Sequence, residues 1–388
     1  MPLDPFFAER LRTHRRYLIG QAVGSLTQRL PWVRRVGRVR AASGSAEAVK
    51  PPAPKPDAAR RGTAIAPAPR ASAPTPRERR AKHRRAALAW DRTEQRTVST
   101  PGLDVATSEH LVPVPGYPDV RVRIYHPEPC ALPELSAAGA RPPAAGLVPA
   151  CLTFYGGAFR IGGIDYPTTD AANRRRAAAS GVALVAVDYA LAPEHRYPAQ
   201  VEQAAAALDW VFREGAGHGL DPSRVAVAGT SAGGNLAAAL TLVNRDRARH
   251  PLRLQILEVP VVDLTGRQID FAATRALGIP SVIALRELWS VRRTYLGRAS
   301  LAREPYASPL RAASHADLPP ALILTAEYDP LRREGAAYAA ALRAAGVEAS
   351  AVRYLGVTHD IPIFTGALAA ARRWEAEVVG ALRTLHDV

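Results

Sequence analysis

Beyond about residue 92, short apolar runs alternate with longer segments of helical character, and each run ends in a turn. Val120 to Tyr125 alternates as a half-buried strand does, and Ala150–Tyr155, Val182–Tyr189, Arg224–Ala228, Leu252–Val262, Ala321–Ala326 and Val347–Tyr354 read as strands. Helices are expected over 201–212, 232–243, 332–345 and 367–385, with Gly346 as a natural stop. Strands and helices in alternation imply an α/β fold with a mostly parallel sheet and helices on both faces. No internal repeat is visible.

One of these turns carries chemistry. Gly229-Thr230-Ser231-Ala232-Gly233 follows the strand Val225–Ala228 directly and opens the next helix. A sharp strand-to-helix turn lifts a serine hydroxyl above the sheet edge, and its cramped backbone accepts only glycine at the flanking positions. The helix N-terminus that follows favours negative charge at the same spot. Tyr155-Gly156-Gly157-Ala158 comes after another strand. Its glycines free backbone N–H groups to face a developing oxyanion, with the amide of Ala232 as the partner donor. Gly156, Gly157, Ala158 and Ala232 are therefore the candidate oxyanion hole.

A serine nucleophile in such a fold needs an acid and a histidine later in the chain. Glu327-Tyr328-Asp329-Pro330 and Gly356-Val357-Thr358-His359 each follow a strand, at the sheet edge where α/β proteins place their sites. Among ten histidines, His359 is the best-placed base. Position alone leaves both Glu327 and Asp329 open as the acid.

Taken in order, these pieces resemble the hormone-sensitive-lipase family of bacterial carboxylesterases over roughly residues 92–388. The resemblance includes Val187-Asp188-Tyr189-Ala190-Leu191-Ala192-Pro193-Glu194-His195, the serine turn extended to Ala237, Tyr306–Leu310, Leu318–Ala321, Asp329-Pro330-Leu331 and His359. It implies an α/β-hydrolase fold and a triad of Ser231, Asp329 and His359. It also implies a helical cap from the N-terminal part and from about 265–310. Glu194 and His195 are structural on this reading. Two positions depart from the pattern. Tyr155 stands where the family usually has His, and Asp360 follows the base where Gly is frequent; its carboxylate could raise the base's pKa or compete as its partner. The implied substrate is a small-molecule acyl ester, with no metal or organic cofactor. The alternative is a ligand-binding receptor on the same scaffold, which a retained His359 disfavours.

Charge divides the chain. Residues 1–90 hold 20 Lys and Arg against 5 Asp and Glu, while the remainder holds 31 against 30. The net charge of +16 thus belongs to an extension, and nucleic-acid binding by the fold as a whole is not expected. Within that extension (1–91), residues 5–26 suit an amphipathic helix with a basic face, able to give weak contact with anionic membrane through residues 1–40. Eight prolines between Pro51 and Pro76 suggest a disordered linker over 41–80. No apolar run reaches the ~18 residues of a membrane span. Cys130 and Cys151 make no disulfide framework, and a cytoplasmic location is expected.

Overall fold

In the computed structural model, residues 2–12, 74–127 and 146–387 are described. They fall into two compact units, one of Met1–Asp4 with Arg80–Val388 and one of Pro5–Arg79. In the smaller unit residues 5–12 are helical; the rest of the expected helix, most of the expected linker and Cys130 lie outside the described residues. Helix α1 covers Pro76–Thr97. It runs through residues expected as linker and across the boundary expected near residue 92. A local signal explains the start. The Thr75 hydroxyl accepts from the Glu78 amide at 3.2 Å, and a Glu78 carboxylate oxygen accepts from the Thr75 amide at 2.7 Å. This reciprocal box, with Pro76 at the first helical position, nucleates a helix despite the prolines before it.

The larger unit is built on an eight-stranded sheet, β1 Ala106–Val112, β2 Val120–His126, β3 Val148–Phe154, β4 Ala183–Asp188, β5 Leu220–Thr230, β6 Leu252–Glu258, β7 Ala321–Tyr328 and β8 Ala349–Thr358. Its order is β1-β2-β4-β3-β5-β6-β7-β8. The first two pairings are antiparallel and the rest parallel. The expected α/β-hydrolase architecture is therefore present. Residues 183–187 of β4 and 225–229 of β5 are buried throughout, as continuous Val, Leu and Ala runs require when both faces are covered. The expected strand over Leu252–Val262 stops at Glu258, because Val259 takes φ 41° and Pro260 follows.

The helices that cover the sheet are α2 Pro167–Ser180, α3 Ala199–Glu214 and α4 Ala232–Asp246. Between β6 and β7 the chain makes a helical excursion, α5 Phe271–Ala276 and α6 Ser281–Leu296, in the segment expected as cap. Helices α7 Arg332–Ala344 and α8 Ala369–Arg383 complete the unit. Among the described residues no helix is long and apolar enough to cross a membrane.

Candidate active site

Ser231 sits between β5 and α4 with φ 57° and ψ −112°, a conformation few non-glycine residues adopt. The neighbours hold it there. Its amide donates to the carbonyl of Glu258 at 2.8 Å, and the Thr230 hydroxyl donates to the Glu258 carboxylate at 3.2 Å. A Cβ on Gly229 would overlap the carbonyl of Gly233, and one on Gly233 would overlap the carbonyl of Phe154. Both glycines are thus required by space.

His359 follows β8, and Asp329 follows β7. His359 Nε2 lies 3.0 Å from Ser231 Oγ, and His359 Nδ1 lies 2.8 Å from Asp329 Oδ2. The Leu331 amide donates to Asp329 Oδ1 at 2.9 Å, so the carboxylate is fixed from its other side. Asp329 is 1% exposed. Glu327 takes a different partner, accepting from the Gly356 amide at 2.7 Å. Burial alone would push the His359 pKa down. The charge and hydrogen bond of Asp329, with Asp360 and Glu334 behind them, outweigh it and carry the imidazole up to about 9. Asp360 therefore acts on His359 through its field, while the hydrogen bond goes to Asp329.

The loop after β3 lies against this turn. A Cβ on Gly156 would stand 3.5 Å from Ser231 Cβ. Gly157 has φ 136°, where any side chain would strike the carbonyl of Ile161. Ala158 and Phe159 follow at φ 53° and 60°. Gly156, Gly157 and Ala158 line the same cavity as Ser231. Ala232 opens α4, where first-turn amides have no acceptor within the helix. Tyr155 supports the loop in a way the sequence did not disclose. Its hydroxyl donates to the carbonyl of Tyr189 at 2.9 Å, the Tyr189 hydroxyl donates to the carbonyl of Tyr155 at 2.9 Å, and the rings stack at 4.2 Å.

The cavity above Ser231 has a volume of about 600 Å³. His83, Ala87, Trp90 and Asp91 of α1 contribute to it, as do Arg160, Glu287 and the turn at His359–Ile363. Arg160 joins the loop after β3 to α6 through Glu287 and the Ser290 hydroxyl, the latter at 3.0 Å. Glu194 and His195 do not line this cavity. Glu194 instead pairs with Arg80 at 2.8 Å and Arg84 at 2.7 Å, which ties α1 to the loop after β4. Cys151 is buried in β3, where burial pushes its thiol pKa up. Among the described residues no group of three or more His, Cys, Asp or Glu side chains is placed to hold a metal.

Comparison with known proteins agrees with this architecture. Residues 151–363 match a family model described as alpha/beta hydrolase fold. The chain is 36% identical over 267 residues to esterase LipI of Mycobacterium tuberculosis, covering 69% of this chain and 78% of that protein. It is 34% identical over 289 residues to carboxylesterase NlhH of the same species, covering 73% and 84%. Among solved structures, the thermostable carboxylesterase EstE1 from a metagenomic library superposes with a TM-score of 0.68 at 35% identity, covering 79% of this chain and 97% of that one. The chain is a member of the α/β-hydrolase fold family, in the hormone-sensitive-lipase-like branch that its ordered motifs resemble.

Proposed function

We propose that this protein is a serine carboxylesterase acting on small to medium acyl esters. The observation that carries the reading is the unbroken chain from Ser231 Oγ through His359 to Asp329, at 3.0 and 2.8 Å. Ser231 attacks the ester carbonyl and His359 Nε2 takes its proton. Asp329 holds Nδ1–H and steadies the imidazolium that forms. The amides of Gly157, Ala158 and Ala232, with Gly156 placing the loop, receive the oxyanion. The imidazolium then protonates the departing alcohol, and water clears the acyl-enzyme by the same steps in reverse. No step calls on a metal or organic cofactor. The names of the relatives support the activity, and the cavity volume supports a ligand of modest size. A receptor has no use for a base hydrogen-bonded to a strained serine. The test is a fluorophosphonate probe, with hydrolysis of p-nitrophenyl esters of increasing chain length. Labelling and turnover that vanish in Ser231→Ala support the reading; turnover that survives overturns it.

The basic extension is a separate matter. We propose that residues 1–40 give weak, salt-sensitive contact with anionic lipid, on the ground of the +15 net charge of residues 1–90. Sedimentation with anionic liposomes at low salt, with and without residues 1–40, tests it.

A further inference from the structure

The cavity does not end at Ser231. Thr153, Ala186 and Ala228 are direct partners across β3, β4 and β5, so their side chains share one face of the sheet. These are small side chains. Opposite them, Thr169, Ala172, Asn173 and Arg176 recur at the spacing of one helix face on α2. All seven line the cavity. Small residues on the sheet thus leave an inner chamber beneath α2, continuous with the site.

Polar groups are set into the chamber's wall, and its cation is already used. Arg176 is 9% exposed and holds both carboxylate oxygens of Glu258, at 2.8 and 2.9 Å. Its Nε has no hydrogen-bond partner. Asn173 is 5% exposed, and its Oδ1 accepts from the Thr153 hydroxyl only at a long 3.5 Å, which leaves its amide N–H groups for a ligand. Arg160, the other arginine on the lining, is paired with Glu287. Asp91 adds a carboxylate held by the Thr168 amide at 3.1 Å. Such walls offer hydrogen bonds to a neutral group and repel an anion. A plain alkyl chain would cover these groups without satisfying them.

We propose that the inner chamber receives the acyl chain and selects chains carrying an uncharged hydrogen-bonding oxygen over plain alkyl chains and over carboxylate chains. This rests on the esterase reading. The leaving group must face His359, which protonates it and lines the cavity with Pro362 and Ile363, so the acyl chain is assigned to the part beneath α2.

The test compares kcat/KM for three p-nitrophenyl esters of similar length: hexanoate, 4-methoxybutanoate, in which oxygen replaces one methylene, and the monoester of glutaric acid. The wild type should favour the ether over hexanoate by about fivefold, the value of roughly one net hydrogen bond, and should disfavour the carboxylate. Asn173→Leu should erase or invert the ether preference. Thr153→Val, which keeps shape, should reduce it and guards against misfolding of the first variant. A wild type that prefers hexanoate or is indifferent, or a ratio unchanged in both variants, overturns the chamber's role. If none of the three esters is hydrolysed above the Ser231→Ala background, the esterase reading falls and takes the proposal with it. Failure of selectivity alone leaves that reading standing.

Discussion

The ring of Phe159 lies parallel to that of Tyr295, with centroids 3.7 Å apart and planes 2° from parallel. Both residues are fully buried, and Phe159 is in the left-handed region at φ 60°. A strained residue of the oxyanion loop is thereby clamped by α6. Phe159→Ala should cost about 3–5 kcal/mol of stability, as loss of a buried aromatic does. It should also lower kcat more than it raises KM, because the loop amides lose their support. The Tyr295 hydroxyl is buried without a partner, so Tyr295→Phe should be neutral or stabilising. Urea denaturation with parallel kinetics on an acetate ester distinguishes the two variants.

Gly233 leaves no room for a methyl group. Its Cβ would meet the backbone carbonyls of Phe154 and Tyr155. Gly233→Ala should therefore separate β3 from the serine turn and abolish activity with Ser231 intact. Gly346→Ala is the control, since open space surrounds that position and only its φ of 79° resists. It should lose about 1 kcal/mol, comparable to other left-handed positions given a side chain, and keep full activity. Retained turnover in Gly233→Ala would contradict the steric argument.

Tyr155 and Tyr189 exchange hydroxyl-to-carbonyl bonds. Tyr155→Phe leaves the Tyr189 carbonyl without its buried donor and should cost about 1–3 kcal/mol. Tyr155→His restores a donor but on a shorter side chain. It should recover less than the full loss, read as melting temperature and as kcat on the same ester.

The pH profile follows from His359. A base works in its neutral form, and Asp329 and Asp360 favour the charged form. With its pKa at about 9, kcat/KM should rise roughly tenfold per unit through neutral pH and level off above pH 9. Asp360→Asn removes one negative charge and should move the inflection to lower pH, raising activity at pH 7. A profile flat between pH 6 and pH 9 would be incompatible with this base.

Strands β2 to β8 and the serine turn were legible because those strands are short apolar or alternating runs ending at glycine or a polar turn. Helix α2 was not. It carries Arg174, Arg175 and Arg176, and it turns Asn173, Arg175 and Arg176 inward. Those charges are balanced by Glu375 and Glu258, far away in sequence, and no local pattern announces such pairs. Strand β1 was missed because most of its residues are exposed or half-buried at a sheet edge, so its apolar alternation is faint. At the site, Ser231 and His359 could be found from their places after strands, while Asp329 was separated from Glu327 only by the resemblance of Asp329-Pro330-Leu331 to the family pattern. The grip of Glu258 on the Ser231 amide could not, since a backbone carbonyl accepts whatever its side chain.

His359 follows β8, the outermost strand on its side of the sheet, while Ser231 follows β5 near the middle. The nucleophile and its base therefore meet only when β6, β7 and β8 are all in place. A ribosome that has released only the first three hundred residues has made the serine turn but not its activator. Turnover, on this architecture, reports that β6, β7 and β8 have docked, and a polypeptide that stops short of β8 has the serine turn without its base.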